Sequence, residues 1–316
     1  CVQDECGIWG GPGAVYECGC YCESENINYL NNWDDGYENY YESYGVADYN
    51  DIWGYTDSDG NEYALIGTWN GTHIIDINTS AAFEVAFIPG SASTHRDIKT
   101  YGHYMYVGTE ANLPDPELLE DNINYTQPQG IQVVDILDPT NPVLVNEWDG
   151  VVQSHNIMEE DGFLYVIGSF SLNSLDGTEE SWGLDDLIIL DLSDPANPVK
   201  IGGWSGVYIH DVCIFDDVLY GCGIETDDMW AIDISDKTNP QVITSWDGIP
   251  SAHACWVSDD GNTLFTASET TGGHIMSWDV TDLTNINLLD EWMPPGAEMW
   301  SAHNIFIKNE RLYISY

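Results

Sequence analysis

The stretch Ile131–Pro142 (IQVVDILDPTNP) constrains this chain more than any other, because it is repeated. It returns as Leu187–Pro198 (LIILDLSDPANP) and as Met229–Pro240 (MWAIDISDKTNP). Looser copies are His274–Asn285 (HIMSWDVTDLTN) and His73–Asn78 (HIIDIN). In the four longer copies an Asp, a second Asp and an Asn hold offsets of 0, +3 and +6. A unit copied in this way buries its apolar face only against the next copy, so the repeat decides the fold before any local motif does.

Each copy opens on a short run rich in Val and Ile, the pattern of a strand buried on both faces. Asp-Pro-x-Asn-Pro then removes backbone donors and fixes φ twice, which demands a turn. A second strand follows and ends in Trp148, Trp204, Trp246 or Trp292, with Phe87 in that place in the first copy. Next come a polar–apolar element such as His155–Ile157 or His210–Val212, a hairpin at Asp161-Gly162 or Asp216-Asp217, and a strand of the Phe163–Ile167 kind. Four strands in about 45 to 60 residues is near the period of a propeller blade.

These copies resemble the LVIVD repeats of β-propellers in secreted and surface-attached bacterial proteins of the choice-of-anchor type, over roughly residues 26 to 316. The resemblance implies an all-β propeller of four-stranded blades and an extracellular or cell-surface setting in a bacterium. It implies no particular chemistry, since propellers host many unrelated activities. Blade one runs from about Tyr49 to Gly90, and blades two to five end near Gly150, Gly206, Gly248 and Pro294. A sixth starts at Met299 and stops at Tyr316 after two strands. Six or seven blades are expected in the intact ring, the missing strands coming from further chain or from another polypeptide. Residues 27–34 (INYLNNWD) match Val143–Asp149 and are expected to complete the last blade, closing the ring and abolishing an exposed edge.

With 316 residues, 43% of them hydrophobic, the chain can bury one large β domain. It carries 54 acidic residues against 6 basic ones, a formal charge of -48. Nucleic acid and anionic membrane surfaces are thereby excluded as partners, because both need a basic footprint. The self-repulsion is offset by divalent cations at specific sites or by a salty medium that screens the surface. No run of 18 apolar residues is present, so no segment reads as a spanning helix.

Residues 1 to 25 differ in kind. Cys1, Cys6, Cys18, Cys20 and Cys22 fall among Gly and acidic residues, a segment too small for a core. Disulfides are the expectation, a metal cluster the alternative. The segment resembles the Cys/Gly/Asp-rich stalks of secreted surface proteins, and Cys1 would also fit a lipoprotein anchor or a truncated chain. Cys213 and Cys222 flank the Asp216-Asp217 turn and are expected to face each other across a hairpin, paired or free, which leaves Cys255 without a local partner.

Strand order places the start of each innermost strand and the end of each second strand on one rim. The insertions Ala111–Gly130 and Ser171–Asp185 lie on that rim too. Aligned pairs open the innermost strands: Asn50-Asp51, Arg96-Asp97, His155-Asn156, His210-Asp211, His253-Ala254 and His303-Asn304. Glu110, Glu225 and Glu269 end second strands there. Imidazoles and carboxylates around one axis suit a transition metal or an acid–base pair. The competing reading is structural: a residue repeated in nearly every blade answers a repeated need for a buried hydrogen bond. Asp135, Asp191, Asp233 and Asp279 are expected to cap the turns. Asp57, Asp59 and Glu62, in DSDGNE, form half of a calcium loop, with a plain hairpin turn as the alternative. Calcium is the one cofactor suggested. No phosphate loop, nucleophile elbow or zinc-protease helix motif is present.

Two functions follow. One is a non-catalytic interaction or assembly module, the partner being a surface protein, a glycan or copies of itself in a filament. The other is a metal-dependent hydrolase or lyase acting at the His/Glu rim.

Overall fold

A computed structural model describes Trp33 and residues 49–79, 81–111, 130–169 and 185–315. Every regular element among them is a strand. Blade one comprises β1 (Tyr49–Thr56), β2 (Glu62–Thr68), β3 (Gly71–Asp76) and β4 (Phe83–Pro89). Blade two comprises β5 (Arg96–Tyr101), β6 (Tyr104–Thr109), β7 (Ile131–Asp135) and β8 (Val143–Trp148). Blade three is β9 (Asn156–Glu160), β10 (Phe163–Ile167), β11 (Leu187–Asp191) and β12 (Val199–Trp204). Blade four is β13 (Val212–Phe215), β14 (Val218–Gly223), β15 (Asp228–Asp233) and β16 (Gln241–Asp247). Blade five is β17 (Ala252–Val257), β18 (Thr263–Ser268), β19 (Ile275–Asp279) and β20 (Asn287–Trp292). A sixth sheet holds β21 (Ile305–Lys308) and β22 (Arg311–Ile314). All neighbouring strands are antiparallel and consecutive, the order of propeller blades.

The repeated run is the third strand of each blade. β7 and β11 are buried at every position but the final Asp, as Val/Ile runs predict. The offsets in the turn now have a cause. The first Asp accepts the backbone N–H two residues on: Asp135 from Leu137, Asp191 from Ser193, Asp233 from Ser235, Asp279 from Thr281. The second Asp lends its carbonyl to the backbone N–H of the Asn three residues later, as in Asp138–Asn141 and Asp236–Asn239. The expected caps are therefore present.

Each fourth strand carries one extra residue at the same height: Val85, Val145, Ile201, Ile243 and Leu289 have no partner in the ladder with the third strand. Trp148, Trp204, Trp246 and Trp292 lie opposite Ile131, Leu187, Met229 and Ile275. In blade one the equivalent pair is Thr72 with Ile88, so Ile88 holds the Trp place and Phe87 does not. A Cβ on Gly150 or Gly206 would sit 2.2 Å from the ring of Trp148 or Trp204, which explains the glycine two residues beyond those tryptophans.

Trp33 is the one described residue of 27–34, and the rest of that stretch lies outside the described residues. Its ring centroid is 4.9 Å from that of His73 on β3. Trp204 has the same relation to Trp230, at the equivalent place of blade four, at 5.6 Å. The Cys-rich segment 1–25 also lies outside the described residues. No helix among them is long and apolar enough to cross a membrane.

The hairpin between β13 and β14 corrects one expectation. Phe215 pairs with Val218 across the Asp216-Asp217 turn, so Cys213 faces Tyr220, not Cys222. Cys213, Cys222 and Cys255 are all free and buried.

Candidate functional site

The innermost strands β1, β5, β9, β13, β17 and β21 converge on a cavity of about 670 Å³. Asn50, Asp51, Asp97, His155, His210, His253 and His303, all from the aligned pairs, line it, and so does Glu269. His95 joins them, a residue the alignment passed over. The imidazoles form a continuous arc: centroids are 5.1 Å apart for His95–His155, 4.0 Å for His155–His210, 4.4 Å for His210–His253 and 4.0 Å for His253–His303.

The ladder register reproduces the alignment, since Arg96 pairs with Thr109 and His155 precedes Asn156, which pairs with Ile167. Yet Arg96 is not on the rim. It is 0% exposed, its Nε donates to the Thr68 carbonyl at 2.9 Å and its Nη2 to the Ser91 carbonyl at 2.5 Å. The long guanidinium finds acceptors behind the strand, and His95 swings into the arc instead. Glu225 is a second correction. Glu110 and Glu269 directly follow the strand-ending Thr109 and Ser268, whereas Ile224 follows Gly223 and leaves Glu225 one residue further out, exposed and outside the cavity lining.

The two glutamates divide the arc. Glu110 receives His95 Nδ1 at 2.8 Å and His155 Nδ1 at 2.6 Å, on its two oxygens. Burial pushes this carboxyl up, but the hydrogen bonds from His155 and His95 outweigh it and hold the carboxylate well below its usual range. His95 is raised in turn by Glu110. Glu269 has no such contact. Its oxygens are 3.7 Å from His253 Nε2 and 3.9 Å from His303 Nε2, beyond hydrogen-bond reach. Two ligands of one tetrahedral zinc-like ion, each about 2.1 Å from it, are roughly 3.4 Å apart. Ligand atoms of His210, His253 and Glu269 lie within 4.8 Å of one another, as do those of His95, Glu110 and His155.

His210 and His253 are 8% and 4% exposed, and the Nδ1 of each is buried without a hydrogen-bond partner. Burial first, then charge on neighbouring imidazoles, brings His210 down to about 3 and His253 down to about 2. Both are neutral near pH 7, the form that binds metal. The sign of the pH effect follows. Below about 6.5 the unfolded chain binds protons that these two folded imidazoles refuse. With a chelator present, acidification from pH 7 to pH 5 lowers the free energy of unfolding by about 2 kcal/mol per histidine. Urea melts at the two pH values read this directly, and His253→Gln halves the fall. A midpoint that does not move would overturn it.

Beneath the arc a second layer ties blade to blade. Asp51 accepts the Ile98 N–H from the next blade at 2.9 Å, and Asp97 accepts that of Ile157 at 2.6 Å. Asn50 accepts the Arg96 N–H at 2.8 Å, and Asn156 Nδ2 donates to Asp211 at 3.0 Å. The Asp/Asn position meets this repeated structural need, and His210 shares in it through a hydrogen bond to the His253 backbone of the next blade. Lys99 Nζ sits among these carboxylates, 2.6 Å from Asp97 and 3.8 Å from Asp51.

The segment Asp57–Asn61 forms the turn between β1 and β2. Asp57 Oδ1 accepts the N–H groups of Asp59 and Asn61, and Oδ2 accepts Asn61 Nδ2 at 2.9 Å and the Tyr63 hydroxyl at 3.3 Å. Neither converging ligand group among the described residues includes Asp57, Asp59 or Glu62. The rim insertions at 112–129 and 170–184 lie outside the described residues.

Fold and site together define a β-propeller with a histidine–glutamate arc at the mouth of its channel. A family model, the LVIVD repeat, matches residues 126–149 and 183–204. No curated protein sequence matches the chain. Among solved structures the fold is similar to a candidate 6-phosphogluconolactonase from Bacteroides uniformis, 11% identical with a TM-score of 0.58 over 79% of this chain and 74% of that one. It is similar also to a periplasmic gluconolactonase from Pseudomonas aeruginosa, 10% identical, TM-score 0.56, over 79% and 72%. A functionally unknown protein from Desulfotomaculum acetoxidans is 11% identical with a TM-score of 0.54, over 80% and 74%. At such identities the likeness is one of fold alone.

Proposed function

We propose that the protein is a metal-dependent propeller, with a divalent transition ion held at the channel mouth by His210, His253 and Glu269 and approached by His303. The observation that carries this is the Glu269 carboxylate, poised 3.7 Å and 3.9 Å from two imidazole nitrogens and hydrogen-bonded to neither. Neutral imidazoles with one carboxylate suit zinc and its neighbours better than calcium, which takes oxygen ligands. The ion would face the 670 Å³ cavity and act as a Lewis acid on a carbonyl placed there, the chemistry of a hydrolase. Among the described residues no Lys or Arg lines that cavity, so a phosphorylated or otherwise anionic substrate is disfavoured and a small neutral one favoured. The acidic surface suits an extracellular or cell-surface place where salt screens it.

Metal analysis tests the reading. Protein dialysed against zinc and then against metal-free buffer retains about one ion per chain, and Glu269→Gln retains none. Wild-type protein that emerges metal-free would sink the proposal. Assembly of copies of this chain is the second reading, favoured by Met299 and Trp300, 79% and 65% exposed beside the two-stranded sixth sheet. A concentration-dependent oligomer from metal-free protein would support it in place of the first.

A further inference from the structure

Three thiols meet where blade four packs on blade five, Cys213 three residues after His210 and Cys255 two after His253. Cys213 lies on β13, Cys222 on β14 and Cys255 on β17. They are 2%, 0% and 2% exposed, in one core cluster with Met229, Met276 and Trp278. Cys255 Sγ is 3.2 Å from Cys213 Sγ and 3.4 Å from the Tyr220 carbonyl oxygen. The hairpin register forbids the local alternative. Cys213 is directly opposite Tyr220, and Cys222 stands diagonal to it, about 7–8 Å away along the ladder. A disulfide needs Cα atoms about 4.4–6.8 Å apart.

We infer that Cys213 and Cys255 are an inter-blade disulfide pair, and that Cys222 remains a thiol. The supporting chemistry is local. Burial pushes the thiols of Cys213 and Cys222 up. Whichever of the two thiols first loses its proton begins the exchange, taken here as Cys255. The oxidant is a small-molecule disulfide such as oxidised glutathione. The Cys255 thiolate attacks one of its sulfurs and expels one thiolate, leaving a mixed disulfide. Cys213 then gives up its proton, attacks the Cys255 sulfur and expels the second thiolate. Two protein thiols are oxidised and one disulfide is reduced to two thiols. Because the pair is buried once the blades dock, the exchange belongs to the folding chain.

The test uses the full chain, refolded from urea with oxidised and reduced glutathione, then unfolded in N-ethylmaleimide without reductant, digested and mapped by mass spectrometry. A peptide joining Cys213 to Cys255, with Cys222 alkylated, is the expected result. The link persists in Cys222→Ser and is lost in Cys213→Ser. Reductant lowers the melting midpoint of wild type and Cys222→Ser by about 5 °C or more and leaves Cys213→Ser unmoved. Alkylation of all three cysteines, or a link that runs through Cys222, overturns the inference.

Discussion

Asp97→Ala lowers the free energy of unfolding by about 3–5 kcal/mol, the cost of leaving a buried charge without its partner. Asp97 is the point where three demands meet. Its Oδ1 takes the Lys99 ammonium at 2.6 Å, its Oδ2 takes the Ile157 N–H of the next blade at 2.6 Å, and it is almost wholly enclosed. Burial pushes its carboxyl up, while the Lys99 ammonium pulls the other way. Truncation strands Lys99 with only Asp51, at 3.8 Å, and orphans a backbone donor. Asp97→Asn keeps an acceptor for that donor and costs roughly half as much. Adding Lys99→Met to Asp97→Ala removes the stranded charge and recovers most of the loss. Urea denaturation of the four proteins measures all of this. A loss under about 1 kcal/mol for Asp97→Ala would mean that the inter-blade tether is not where the stability lies.

Zinc at one hundred times its dissociation constant raises the stability of the wild-type protein by about 2.7 kcal/mol, because a ligand that binds only the folded state shifts the equilibrium by mass action. In a chain of this size that is a rise in midpoint of about 5 °C. Glu269→Gln abolishes the rise, since the amide brings no charge to the ion and leaves two neutral imidazoles alone. Asp57→Asn keeps it, because Asp57 serves the hairpin between β1 and β2, at the opposite end of β1 from Asn50 and Asp51. Calcium in place of zinc gives no comparable shift, the site being nitrogen-rich. Thermal melts in matched ionic strength separate specific binding from general screening of the -48 charge. An equal rise in Glu269→Gln would remove Glu269 from the ligand set.

Most of the fold was legible because its cause is periodic. Third strands announced themselves as Val/Ile runs, and the Asp at the end of each fixed the turn. The rim was legible for a weaker reason. Matching the Ile or Val that follows each pair recovers true ladder register, so His155, His210, His253 and His303 came out together. Register does not say which way a long side chain turns, and there the sequence misled. Arg96 occupies the histidine position but reaches carbonyls behind the strand, and His95 replaces it from one residue away. Glu225 failed by a single residue of offset, which a strict count from Thr109, Gly223 and Ser268 would have caught. Cys255 was left without a local partner, and only blade packing brings it to Cys213, 42 residues away in sequence.

Val85, Val145, Ile201, Ile243 and Leu289 kink the outward edge of every complete blade at one height. A bent edge presents no straight row of N–H and C=O groups for a foreign strand to extend. Crowded rings therefore slide past one another at their perimeters instead of zipping into cross-β fibrils, and any ordered stack has to be built through flat ends.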